Sequence, residues 1–193
     1  KTVDQWLGGE SMSMVNVTLP DGTVNEYAEG ITAGEVVIDA LGKKHGCLAA
    51  RINGVERDFS ASLHSDCSVE GILASSDEGI HILRHSAAHL LAQAVMEIYP
   101  DAKPTIGPAI DRGFYYDFAM EPIAASDLKA IEKKMHELAR RNIQVERVEL
   151  EEEELRDHFK SNKYKIEIID DKLEDGDGST IYKQGEWYDL CLG

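Results

Sequence analysis

The stretch Ile80-His-Ile-Leu-Arg-His-Ser-Ala-Ala-His-Leu-Leu-Ala-Gln-Ala-Val95 leaves the chain little choice of local structure. Ile80, Leu83, Ala87, Leu90, Leu91, Ala94 and Ile98 recur at threes and fours, the period of an amphipathic helix. At about 100° per residue, His85 and His89 fall roughly 140–180° from the centre of that stripe and about 40° from each other. His81 lies one turn earlier on the same line. Ala88 and Ala92 border it and leave space above. The spacing therefore predicts a helix with one buried side and a row of imidazoles over small residues on the other. Such a pair can bind a metal, order a water or hydrogen-bond a phosphate, or it can be a solvated polar face. A zinc-protease motif is excluded. That motif needs Glu directly after the first histidine as general base, and Ser86 stands there.

The rest of the chain gives this helix a setting. Its 193 residues suffice for one large domain or two modest ones, at an ordinary globular balance of 42% hydrophobic and 29% charged residues. No apolar run approaches a membrane span and no secretory pattern opens the chain. Cys47, Cys67 and Cys191 show no paired spacing, so a reducing cytoplasm is expected. A net charge of -16 argues against a broad electrostatic grip on nucleic acid. The acid is uneven: residues 145–193 carry 15 Asp/Glu against 7 Lys/Arg. Lys129, Lys133, Lys134, Arg140 and Arg141 form a basic cluster, one candidate for a local RNA contact.

In chain order, residues 1–13 show no period and read as an extension or linker. Val15, Val17 and Leu19 alternate as a strand, Pro20-Asp21-Gly22 turns it, and Thr23–Tyr27 returns. Thr32-Ala-Gly-Glu35 is a capping box opening a helix that carries Val36, Val37 and Leu41 inward and stops near Gly46. Leu48–Ile52 and Val55–Phe59 flank an Asn53-Gly54 hairpin turn, and Val69–Leu73 closes the sheet. His64 and Cys67 are placed in a loop. Ser75–Gly79 is a polar boundary. After the histidine helix, which Pro100 ends, Lys103–Arg112 reads as a loop containing Gly107-Pro108. Gly113–Phe118 is an aromatic strand with Phe114, Tyr116 and Phe118 on one face. Ser126–Arg141 is a helix with Leu128, Ile131, Met135 and Leu138 inward. Ile143–Leu150 is a strand with a bulge near Glu146-Arg147, and Glu151–Phe159 is a short helix. Tyr164, Ile166 and Ile168 alternate, predicting a strand over Tyr164–Ile169 with Lys165 and Glu167 on its polar side. An acidic loop over Glu174–Ser179 precedes Trp187–Gly193.

Four motifs at these separations, Arg84-His-Ser-Ala-Ala-His-Leu-Leu-Ala92, Ile106-Gly-Pro, Gly113-Phe-Tyr-Tyr-Asp117 and Tyr188-Asp-Leu-Cys191, closely resemble the amino-terminal half of bacterial-type threonyl-tRNA synthetases. The resemblance covers nearly everything after the first dozen residues. It implies an α+β chain: a ubiquitin-like β-grasp (TGS-like) domain over 14–75, followed by a larger α/β editing domain over 77–193. The implied activity is hydrolysis of mischarged seryl-tRNA(Thr), acting on the 3'-terminal aminoacyl-adenosine. The family's editing site maps onto His85, His89, Lys165, Tyr116, Asp189 and Cys191. Its final Gly-Pro-His histidine has no counterpart, which implies a fragment. His85 and Lys165 are then expected to position or activate water, Asp189 to grip the substrate's amino group and hydroxyl, and Tyr116 and His89 to hold the adenosine. Cys191 joins the substrate-binding set, and Gly107 brings backbone close to the substrate side chain. No cofactor is implied for this part. ATP, magnesium and a zinc belong to the parent's catalytic domain, and a monomer is expected where the parent is a homodimer.

Two other classes remain open. His85, His89 and Cys191 could be three ligands of a zinc hydrolase, as the alanyl-type relatives of the fold suggest, although the Lys165 ammonium beside a dication is unfavourable. Alternatively, the chain is a non-catalytic module that binds RNA or a regulatory ligand.

Overall fold

The computed structural model describes residues 13–174 and 180–191. The leading segment through residue 12, the acidic loop over 175–179 and the last two residues lie outside the described residues. The chain forms two compact units that part between Gly79 and Ile80.

In the first unit, β1 (Met14–Thr18) and β2 (Val24–Ala28) pair as an antiparallel hairpin. The Thr32–Glu35 capping box forms in both directions, Glu35 N to Thr32 Oγ1 at 3.2 Å and Thr32 N to Glu35 Oε2 at 2.9 Å. It opens α1 (Ala33–Leu41). The helix ends earlier than Gly46, because Gly42 takes φ 80° and donates its N–H to Ile38 O. Ala33, Val36 and Val37 face inward, whereas Leu41 is exposed. Next come β3 (Cys47–Ile52) and β4 (Val55–Arg57). Asn53 and Gly54, at φ 50° and 82°, make the mirror-image hairpin turn expected between them. The last strand, β5 (Cys67–Leu73), pairs parallel with β1 and antiparallel with β3, so Cys67 opens a strand rather than sitting in a loop. The sheet order is β2-β1-β5-β3-β4, and its core is Val15, Val17, Val36, Val37, Ala50, Leu63 and Val69.

α2 (Asp77–Ile98) begins in the first unit and runs into the second. Its burial corrects the sequence reading. Ala88, Ala92, Ala94 and Val95 are buried, as is His89, while Leu83 is exposed. The small residues bordering the histidines therefore admit packed neighbours, not solvent. Two short ladders follow: β6 (Lys103–Pro104) with β9 (Phe118–Ala119), and β7 (Ala109–Ile110) with β8 (Gly113–Phe114). The expected continuous aromatic strand is thus split, with Tyr116 in the break. α3 (Leu128–Arg140) packs Ile131 and Leu138 against Ala94, Val95 and Ala102.

β10 (Val145–Glu149) pairs with β11 (Thr180–Gln184) in unbroken register from Val145↔Gln184 to Glu149↔Thr180, so there is no bulge at Glu146-Arg147. β12 (Trp187–Leu190) completes the order β10-β11-β12. Between β10 and β11 lie α4 (Glu152–Phe159) and α5 (Lys163–Glu174). The expected strand over Tyr164–Ile169 is therefore a helix. The cap residue Asn162 and, within the helix, Lys165 and Ile169 are buried among the described side chains, spaced by three and four. Two of the three are polar, so the buried stripe carries no apolar signature and the fortuitous alternation of Tyr164, Ile166 and Ile168 imitates a strand. Leu155, Phe159, Ile169, Ile181 and Leu190 form the core beneath this sheet.

Candidate active site

Four segments of the second unit converge. α2 supplies His85 and His89 one turn apart, their rings stacked at 4.9 Å between centroids and 15° between planes. Strand alternation sends Leu190 into the core and leaves Asp189 and Cys191 together on the opposite face. α5 supplies Lys165, and the break between β8 and β9 supplies Tyr116.

Asp189 is the hub. It is 1% exposed, and its Oδ1 accepts from Lys165 Nζ at 2.7 Å and from Leu190 N at 2.8 Å. Oδ2 accepts from the Tyr116 hydroxyl and lies 3.2 Å from His89 Nδ1. That imidazole nitrogen has ion-pair proximity without hydrogen-bond alignment. Lys165, 2% exposed, also donates to Tyr116 OH at 3.0 Å. A buried carboxylate and ammonium are tolerable only as such a paired, hydrogen-bonded set. Burial alone would raise the Asp189 pKa, but His89 and Lys165 hold it below the ordinary carboxylate value. Burial and the adjoining Asp189 charge push the Tyr116 phenol up, so it remains a donor.

The other half of the cluster is sulfur and imidazole. His85 Nε2 lies 3.1 Å from His89 Nε2 and 3.4 Å from Cys191 Sγ. Burial works against the charged forms of both His89 and Cys191, yet their partners prevail. Asp189 and Cys191 raise His89 to about 9, and His85 and His89 lower the Cys191 thiol to about 6. The two shifts run in opposite directions and favour the imidazolium of His89 and the thiolate of Cys191. Tyr182 and Trp187 wall His89, with ring centroids at 6.4 and 6.1 Å, and the Trp187 indole donates to Met96 Sδ at 3.2 Å.

Gly107 belongs to this arrangement through its lack of a side chain. A Cβ there would lie 2.1 Å from Tyr116 Cδ2, so the main chain of residue 107 packs flat on the tyrosine ring. Every residue expected at the site is thus found within one buried cluster or against it. His81 is exposed and outside it. Of the basic residues on α3 and at its C-cap, Lys134 and Arg141 are paired with Glu97 and Glu137, while Lys129, Lys133 and Arg140 are exposed. Sequence reasoning missed Tyr182, Trp187 and Thr180, whose hydroxyl donates to Cys191 O. They belong to one hairpin, signalled by Gly185-Glu186 between two residue runs of strand character, with Gly185 at φ 67°.

His85, His89 and Cys191 also present three possible metal ligand atoms within 4.8 Å of one another. Zinc bonds of about 2.0–2.1 Å to nitrogen and 2.3 Å to sulfur place tetrahedral ligands roughly 3.3–3.6 Å apart. The observed 3.1 Å between the histidines and 3.4 Å from His85 to Cys191 are close to that for two of the three edges of the donor set.

No protein-family model matches the chain. Curated proteins do, and over nearly all of it. Threonine–tRNA ligase from Hyphomonas neptunium is 46% identical over 186 residues. Threonine–tRNA ligase 1 from Bacillus subtilis is 42% identical over 184, and the Streptococcus pneumoniae ligase 40% over 185. Its relatives are threonine–tRNA ligases. Each match takes in 93% of this chain but 28% of the ligase, so the chain spans just over a quarter of the length of these relatives. Among the described residues no helix is long and apolar enough to cross a membrane.

Proposed function

We propose that this chain is the proofreading part of a threonine–tRNA ligase and hydrolyses the ester of seryl-tRNA(Thr) in the cytoplasm. The observation that carries this reading is Lys165, 2% exposed and held between Asp189 and Tyr116 beside two histidines. A lysine is buried at such cost where its charge or its amine is used. The first unit, with its β2-β1-β5-β3-β4 order and one helix, supports the β-grasp reading of residues 14–75.

The chemistry is suited to the task. Serine lacks one methyl of threonine, and a pocket shaped for the larger residue excludes the smaller by only about 1–3 kcal/mol. A second site that admits serine and rejects the extra methyl supplies the remaining selectivity. The scissile bond is an activated ester, for which positioning a water goes far. His85, half-buried like Tyr116, takes the proton of the attacking water and returns it to the departing ribose oxygen as the ester C–O bond breaks. Lys165, whose ammonium keeps a third N–H beyond those on Asp189 and Tyr116, is the donor for the developing oxyanion. Asp189, already engaged by Lys165, Tyr116 and Leu190 N, holds that ammonium in place, and a substrate ammonium reaching Asp189 displaces the Tyr116 hydroxyl. The His89–Cys191 charge pair fixes the imidazole stack.

Lys165→Ala and His85→Ala should each lower hydrolysis of seryl-tRNA(Thr) by roughly a hundredfold or more. Unchanged rates in both would remove them from the mechanism.

The converging His85, His89 and Cys191 atoms favour a second reading, a zinc-assisted hydrolase, in which the three residues would hold the ion and the metal would polarise water. Metal analysis of the purified chain separates the two. Stoichiometric zinc with chelator-sensitive hydrolysis supports the second reading, and full activity of metal-free protein supports the first.

A further inference from the structure

Asn162 is buried and bonded in two directions. Towards α5, its Oδ1 accepts from Tyr164 N at 3.2 Å, and its carbonyl accepts from Lys165 N at 3.1 Å and Ile166 N at 3.2 Å. It is therefore the cap of the helix that carries Lys165. In the other direction, its Nδ2 donates to Pro104 O at 2.7 Å, a bond spanning 58 residues of sequence. Pro104 lies on β6, and the ladder from β6 continues into the site. Thr105 N and Oγ1 both donate to Asp117 O at 2.9 Å, and Asp117 N donates to Ile106 O at 2.9 Å. Tyr116 precedes Asp117, and Gly107 follows Ile106.

One side-chain amide thus joins the start of the Lys165 helix to the ladder that holds Tyr116. The two arms close on each other where Lys165 Nζ donates to Tyr116 OH at 3.0 Å. We propose that Asn162 is the positioning residue of this site, setting the height and rotation of α5 so that the Lys165 ammonium meets Tyr116 and Asp189. The proposal rests on the hydrolytic reading of the cluster. The lysine stem is long and flexible, so its head group is only as well placed as the helix turn it leaves. Sliding α5 by one residue would turn Lys165 by about 100° and out of the cluster.

The side-chain type fits the double role. Asp, Ser and Thr cap helices as well as Asn does. Asn combines a cap acceptor with a donor for the Pro104 carbonyl. Asp would set a second oxygen against that carbonyl, acceptor facing acceptor, and Ser would reach only one side.

Asn162→Ser and Asn162→Asp keep the cap and remove the link, so the helix still starts at the same residue. Both variants and the parent chain are compared in three measurements: thermal midpoint, kcat and KM for seryl-tRNA(Thr), and acetylation of Lys165 relative to exposed Lys163 by limiting acetic anhydride with mass spectrometry. The expected result is a kcat at least tenfold lower at unchanged KM, since misplacement by about 1 Å can cost up to a hundredfold. The Lys165 to Lys163 labelling ratio should rise at temperatures where the variants remain folded. Parent-like kcat and labelling in Asn162→Ser overturn the proposal. Failure of the hydrolytic reading looks different: the parent chain does not hydrolyse the ester, or Lys165→Ala does not slow it. In that event the labelling ratio alone decides whether Asn162 places Lys165.

Discussion

Cys191 and His89 titrate against each other, and their opposite shifts make a testable pattern. His89 is raised from 6.5 to about 9, so its stabilising contribution is complete below pH 6.5 and lost as pH rises through about 9. Cys191 is lowered from 9.0 to about 6, so its contribution is complete above pH 9 and lost as pH falls through about 6. Between about pH 6.5 and 9 one rises as the other declines, and this pair leaves stability nearly flat. Cys191→Ser removes one side of the balance, while Asp189 still holds His89 up. Urea midpoints of that variant should fall steadily with rising pH across the window, where those of the parent do not. A parallel pH dependence in both proteins would contradict the assignment. A second prediction concerns Gly107. Alanine there must displace the Tyr116 ring, which it would otherwise approach to 2.1 Å. We expect hydrolysis to fall by up to about a hundredfold with a far smaller change in thermal midpoint. An unaffected rate would show that Tyr116 is not held by this contact. At this scale the residues were legible through the family resemblance rather than their spacing: it named His85, His89, Asp189 and Cys191 as one set, and the structure brings them together. Lys165 was legible only as a residue, not in its setting.

The elements explain why. Asn162 at the cap of α5 and Lys165 and Ile169 within it are buried, and apolar periodicity registers one of the three. β11 was missed because its strand character rests on two residues, Ile181 and Tyr182, after an acidic stretch, although it is the central strand of the β10-β11-β12 sheet. Where apolar periodicity and burial coincide, as in β1 and α4, the expectation and the structure agree closely, whereas in α3 Ile131 and Leu138 are buried but Leu128, expected inward at the first turn, is exposed. The same α5 yields a prediction. Ile169 lies one turn beyond Lys165 and packs among Leu155, Phe159, Ile181 and Leu190. Ile169→Ala should cost about 2–5 kcal/mol of stability. Loosening that side of α5 should also lower kcat at temperatures where the protein remains folded, as a urea titration paired with deacylation rates would show. Loss of stability with an untouched kcat would mean that the helix is positioned by its cap alone.

At the scale of the molecule, charge and division into units decide how the chain can meet its substrate. A net charge of -16 gives no broad attraction to RNA, and Lys134 and Arg141 are occupied by Glu97 and Glu137. The chain alone should therefore hold tRNA weakly, with little salt dependence in filter binding, and select its substrate at the aminoacyl end. Tight binding with a steep salt slope would instead point to a basic surface as the main contact. All members of the cluster lie beyond Gly79, in the second unit. The measurement that tests the central claim most directly is hydrolysis of seryl-tRNA(Thr) beside threonyl-tRNA(Thr) by this chain and by its Lys165→Ala variant. The account predicts that the parent chain cleaves the seryl ester, spares the threonyl ester, and loses the activity with Lys165. Equal cleavage of both esters, or undiminished seryl cleavage by the variant, would contradict it.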